Sequence, residues 1–141
     1  MTQKLILYPV LAMVALTFIV AIVMFRRRVA SMKSQRIHPQ KIASPTQVAA
    51  LIDDSRASDN LKNLFETPVL FYVAMGIIFA AGLTCTAQLI FAWGYVVARC
   101  VHSGIHCTSN IVMQRFYAFL TSGALLLAIW LMLAYQLFFV L

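Results

Sequence analysis

Hydrophobic positions in this chain run in long uncharged blocks. Leu5 to Phe25 is 21 residues without a charge, and as a helix at 1.5 Å per residue it covers about 31 Å, one hydrocarbon core. Pro9 lies near the start of the block, where a missing backbone donor costs little. The block ends at Arg26, Arg27 and Arg28. It is too long for the apolar part of a signal peptide, and its positive charges follow it instead of preceding it. The pattern therefore predicts a retained span over residues 5–25 with its N-terminus outside. Thr67 to Ala98 is 32 residues without a charge, about 48 Å as one straight helix and too long for one bilayer. Two spans fit better, over residues 68–83 and 87–106, with a hairpin at Gly82, Leu83, Thr84, Cys85 and Thr86. Phe116 to Leu141 is a further uncharged stretch of 26 residues and supplies a fourth span over residues 116–139.

The polar segment between the first two spans, residues 26–66, divides in two. Arg28 to Ser44 reads as basic and irregular, with Pro39 and Pro45 as breakers. Ser44 is a plausible N-cap with Pro45 at the first helical position. Val48, Leu51, Ile52, Leu61, Leu64 and Phe65 then form a broken helical stripe. A helix is expected from Pro45 towards the second span, with a break near Ser55 to Asp59. No internal repeat or low-complexity tract is present.

Composition agrees with this reading. The chain has 141 residues, 62% of them hydrophobic and 11% charged, against about 25% charged in a typical soluble domain. A soluble domain of this size could not hide so much apolar surface, so the expected class is an all-α membrane protein made of one domain, a four-transmembrane-helix bundle. The net charge is +7, from 11 Lys and Arg against 4 Asp and Glu. A basic chain invites a nucleic-acid reading, but eight of the eleven cations lie between Arg26 and Lys62. That is the distribution of the positive-inside rule, and no nucleic-acid partner is expected. Four spans put both termini on the extracytoplasmic side. They gather residues 26–66, Arg99, Arg115 and the short turn from His106 to Gln114 near the cytoplasmic face, leaving Lys4 alone on the other. A three-span arrangement would separate Arg115 from the basic loop.

Three cysteines, Cys85, Cys100 and Cys107, cannot complete a disulfide framework and read as small membrane-buried side chains. Cys107 beside His106 and His102 lacks a second ligand pair at zinc spacing, so no metal is expected.

Polar side chains inside or beside spans are informative, because a charge at the bilayer centre costs about 2.5 to 3.5 kcal/mol on the insertion scale. At about 100° per residue, Gln88, Tyr95, Arg99, His102, His106 and Asn110 fall within an arc of about 80°. Snorkelling explains Arg99 but not five further polar groups on its face, so a buried polar cleft is expected along the third span. Arg56, Asn60 and Asn63, spaced i, i+4 and i+7, line up on the helix entering the second span. Glu66 follows, rotated by about 60°. Arg115 opens the fourth span.

Two blocks carry a family resemblance. They are Arg56-Ala-Ser-Asp-Asn60-Leu-Lys-Asn63-Leu-Phe-Glu66-Thr-Pro68 and Arg99-Cys-Val-His102-Ser-Gly-Ile-His106, with Arg115 after the second. With the four-span layout and basic first loop they resemble the MAPEG family, the membrane-associated proteins of eicosanoid and glutathione metabolism. The likeness covers nearly the whole chain. The phrases Phe65-Glu66-Thr-Pro68-Val-Leu-Phe-Tyr72 and Val101-His102-Ser-Gly-Ile-His106 look like its bacterial branch.

The resemblance implies a homotrimer of four-helix bundles in a bacterial inner membrane, with glutathione as cosubstrate between neighbouring subunits. An apolar small-molecule electrophile would arrive from the membrane lipids. It implies a glutathione-dependent transferase or peroxidase in which Arg115 activates the thiol. Arg26, Arg56, Asn60, Asn63, Glu66, Arg99, His102 and His106 would bind glutathione. Asn63 stands where the family pattern has an acid, a place Glu66 would fill one turn later, and His106 stands where the pattern has a tyrosine. The family also contains a non-catalytic member that binds lipid and partner proteins, which is the alternative reading. A small multidrug transporter also has four spans but needs an acid within a span, and none lies deep in one here.

One arginine is sufficient in magnitude for thiol activation. A thiol with pKa near 8.5 is about 3% thiolate at pH 7, and lowering its pKa by about 2 units makes it about three-quarters thiolate, for about 2.7 kcal/mol. A cation about 4 Å away supplies about 4 kcal/mol at an effective dielectric near 20.

Overall fold

The computed structural model describes residues 3–52 and 54–139. Among them there is no strand. The elements are a 3₁₀ turn Gln3–Ile6, α1 Leu7–Ser34, a 3₁₀ turn Pro39–Ile42, α2 Pro45–Leu51, α3 Arg56–Leu64, α4 Thr67–Ala80, α5 Thr86–Cys107 and α6 Val112–Phe139. Three helical segments are long and apolar enough to cross a membrane: Gln3–Ser34, Arg56–Ala80 and Val112–Phe139. The chain is an integral membrane protein.

Every helix but α2 buries one stripe. On α1 and the turn before it, Ile6, Met13 and Val20 recur every seventh residue. On α4 the buried positions are Pro68, Phe71, Ala74, Met75 and Ile78, and on α6 they are Ser122, Leu126, Ile129 and Leu133. Opposite faces stay apolar and uncovered, as with Leu11, Phe18, Leu127 and Leu131, which suits lipid as solvent. The most extensive pairing is α5 along α6.

The helix ends follow local chemistry. Ser44 caps α2 as expected: its hydroxyl accepts from the Gln47 backbone N–H at 3.3 Å, and the Gln47 side chain accepts from the Ser44 N–H at 3.0 Å, a capping box. The hairpin falls where expected. After α4, Gly82 adopts φ +75°, and the Leu83 N–H reaches back to the Ile78 carbonyl at 3.0 Å, a Schellman ending that glycine permits.

Two boundaries differ from the sequence reading. The stretch expected to be irregular after Arg28 is helical to Ser34. Arginines stop a span, but Arg, Lys, Met and Ala are good helix formers in water. The helix expected from Pro45 breaks around Asp54 and Ser55, slightly before the expected place, and again at Phe65 and Glu66. The second break has a cause in Pro68, which has no N–H to offer the Leu64 carbonyl and whose ring crowds it.

Candidate functional site

α3 packs on α1 and α5, while α6 lies along the other side of α5. At the end of the molecule where α1 carries its arginines, these helices leave a cleft of about 480 Å³ between α3 and α6, with α5 as its floor. Arg56, Asn63 and Glu66 line one wall, His102 and His106 the floor, and Arg115 with Phe119 the other wall. Six of the nine expected site residues thus share one cavity.

The expected polar stripe on α5 is buried throughout its helical part. Gln88 and Arg99 are 0% exposed, His102 2% and His106 3%. Asn110 lies beyond the helix, in a left-handed turn at φ +51°, a conformation asparagine tolerates. From there its side-chain oxygen accepts from Arg115 Nη1 at 2.8 Å. Arg115 Nη1 also lies 3.4 Å from His106 Nε2. The Arg115 head is therefore aimed across the floor instead of out towards the membrane border. The imidazoles of His102 and His106 meet edge to face at 5.6 Å.

Arg99 sits below the floor. Its Nη2 donates to the Asn63 carbonyl at 2.9 Å, and its guanidinium carbon lies 5.8 Å from the centre of the Phe119 ring, within range of a cation–π contact. Its Nε and Nη1 have no hydrogen-bond partner among the described residues, and neither do Nδ1 of His102 and of His106. Buried polar atoms are normally satisfied; of these four, the two imidazole nitrogens belong to residues that line the cavity and the two guanidinium nitrogens lie beneath it.

Two expected site residues are occupied inside the chain. Asn60 is 0% exposed; its Nδ2 donates to Cys107 Sγ at 3.4 Å and its Oδ1 accepts from Ser103 Oγ at 3.3 Å. It faces α5 directly and does not line the cleft. Arg56 lines the cleft, yet its Nε donates to Asp54 Oδ1 at 2.8 Å and its Nη1 to the Thr108 carbonyl at 2.7 Å. Arg26 is exposed on α1 and lies away from the cavity.

Sequence reasoning missed the centre of this arrangement, Asp54. It pairs with Arg56 and, at 3.3 Å, with Arg27, whose Nη2 donates to the Cys107 carbonyl at 2.7 Å. Two arginines thereby hold the carbonyl end of α5, where the helix dipole favours cations, and one aspartate holds the two arginines. The Arg56 guanidinium and backbone N–H hold the Asp54 carboxyl below the usual carboxylate range, with Arg27 adding to the effect. A sequence signal existed, because Asp54 precedes α3 by two residues and accepts the Arg56 N–H at 3.2 Å, the local turn aspartate favours before a helix. Phe119 was also missed, although it stands one turn from Arg115.

A profile of the MAPEG family matches residues 6–135. No curated protein and no solved structure matches the chain.

Proposed function

Because the chain belongs to the MAPEG family, whose members include glutathione-dependent transferases and peroxidases as well as non-catalytic proteins, we propose that it is a glutathione-dependent transferase or peroxidase acting on apolar electrophiles. The observation that carries this reading is the cleft itself, with Arg115 in one wall and His102 and His106 in its floor. Its volume of about 480 Å³ falls within the usual range for small-molecule sites, about 300 to 1,000 Å³. Cationic and imidazole donors suit the two carboxylates of glutathione, and arginine's forked donors suit them best.

In this reading Arg115 stabilises the glutathione thiolate, while Asn63, Glu66, Arg99, His102 and His106 hold the peptide. The thiolate forms a carbon–sulfur bond as the electrophile's leaving group departs with its electron pair. With a hydroperoxide it breaks the O–O bond instead, and a second glutathione completes the disulfide as the alcohol and water leave. Phe116 and Phe119 give the cleft an apolar side for an electrophile drawn from the bilayer.

The assembly we propose has four spans, with α5 as the fourth crossing helix. At 22 residues α5 is about 33 Å long, and its polar stripe lowers its hydropathy without shortening it. Both termini lie outside, the basic loop is cytoplasmic, and three copies associate in a bacterial inner membrane. Arg26, exposed on α1, then reaches the cleft of a neighbouring copy.

A second reading, a non-catalytic trimer binding lipid or protein partners, is favoured by one observation. Asn60 and Arg56, both expected to touch glutathione, already have partners within the chain. Calorimetry with glutathione on the full-length protein in detergent decides between the two. Binding at millimolar glutathione, with thiolate absorbance, supports the enzyme. Neither signal at that concentration leaves the non-catalytic trimer.

A further inference from the structure

A second cavity, of about 370 Å³, lies on the other side of α3, under the segment that joins α1 to α3. Met24, Arg27 and Arg28 of α1 line one side, Ile42, Val48 and Ile52 of the joining segment roof it, and Asp59 and Lys62 of α3, with Asp54 just before that helix, close it. α2 packs chiefly on the 3₁₀ turn before it, so the segment arches over the space instead of filling it. One half of the cavity is thus aliphatic and the other charged.

The charges are unevenly matched. Arg27 is paired with Asp54, and Lys62 with Asp59 at 3.2 Å. Arg28 has no hydrogen-bond or ion-pair partner among the described residues. Three cations face two anions, and the surplus one stands one helical turn above Met24. The long apolar run of α1 ends here, and below Met24 and Arg28 the same face of α1 carries Ala21, Thr17 and Val14, each at least partly exposed. A ligand matching these features has one phosphate for Arg28 and Lys62, a small apolar neck for Met24 and Ile42, and chains that leave along α1.

We infer that this second cavity binds the headgroup of an anionic phospholipid from the leaflet on the basic side of the membrane. The site is separate from the cleft of Arg115, and its occupancy does not depend on the reaction proposed there. The two cavities nevertheless share Ser55, Asp59 and Lys62 of α3. A phosphate that draws Lys62 away from Asp59 changes the charge facing the first cleft, so lipid composition would tune that site.

Native mass spectrometry of the full-length protein in detergent tests the inference, with phosphatidylglycerol or phosphatidylcholine added in turn. Phosphatidylglycerol should be retained about fivefold more strongly, and Arg28→Gln should remove that preference, since one surface cation is worth about this much towards an anionic lipid. Lys33→Gln makes the same charge change on the same helix outside the cavity and should keep the preference. Val48→Glu, which brings a negative charge to the roof, should lower it as Arg28→Gln does. Equal retention of the two lipids by the wild type would overturn the inference. So would equal losses from Arg28→Gln and Lys33→Gln, which would mean diffuse attraction to basic surface. Displacement of phosphatidylglycerol by inorganic phosphate at millimolar concentration would also overturn it, by making the free anion the ligand.

Discussion

The two ends of α5 carry polar residues on the same face and treat them in opposite ways. At the hairpin end Gln88 is fully buried and fully engaged. Its Oε1 accepts the Cys85 N–H at 3.1 Å, its Nε2 donates to Gln136 Oε1 at 2.5 Å, and Gln136 Nε2 in turn reaches the Leu83 carbonyl at 3.4 Å. Tyr95, two helical turns further on, stacks its ring on Phe71 at 4.6 Å. At the basic end Arg99, His102 and His106 are as deeply buried, yet four of their nitrogens have no partner. The same stripe is fastened at one end and incompletely satisfied at the other. The difference lies in the neighbours: α6 offers Gln136 at the hairpin end, whereas at the basic end α3 and α6 stand apart and leave a cavity.

The comparison predicts opposite responses to removing a polar group. Gln88→Leu should lower stability by about 1 to 3 kcal/mol, because it leaves Gln136 and the Cys85 N–H without partners in a buried place. Adding Gln136→Leu should restore part of that loss, since both ends of the bond are then apolar. Thermal unfolding in detergent reads both effects, and a double variant less stable than the sum of its singles would break the account of the hairpin end.

Arg99→Met should behave differently. It replaces an incompletely satisfied buried cation with an apolar chain of similar length, a change that is often neutral or stabilising. The melting temperature should stay level or rise, while glutathione affinity falls about tenfold, the worth of a charged hydrogen bond. A large loss of stability would mean that Arg99 is a fastening like Gln88.

These contrasts bear on what the sequence could reveal. The apolar runs and the stripe on α5 were legible because a bilayer makes every polar residue in a helix conspicuous, and Ser44 was legible because a capping box is local. The pairing of Gln88 with Gln136 and of Arg27 with Asp54 was not, since the partners are 48 and 27 residues apart. Spacing on one helix says that Asn60 lies near the line of Arg56 and Asn63, but it does not say which side of that line meets α5. A rotation of a fraction of a turn separates a ligand contact from a packing contact, and the packing of α3 on α5 decided it.

The smallest effect is expected at the aspartate that ties the basic end together. Asp54 is ionised more readily in the folded chain than in an unfolded one. Its contribution is therefore present above the ordinary carboxylate pKa, near 4, and is lost as pH falls through the lower folded value. Asp54 is partly exposed, so that contribution is less than about 1 kcal/mol. Asp54→Asn should lower the melting temperature slightly at pH 7 and abolish the part of the acid destabilisation due to this site. An unchanged acid profile would show that the two arginines hold α5 without the aspartate.

The thiolate is the most direct test of the central claim, that the cleft beside Arg115 binds and activates glutathione. Ultraviolet difference absorbance of the protein with millimolar glutathione, at pH 7, should show thiolate in the wild type. Arg115→Ala should retain glutathione binding but lose about 2 to 3 kcal/mol of thiolate stabilisation, about a hundredfold in transferase rate where thiolate supply is limiting. Thiolate absorbance unchanged in Arg115→Ala would contradict the claim and leave Arg115 as a border arginine. No thiolate in the wild type would contradict the enzyme reading itself.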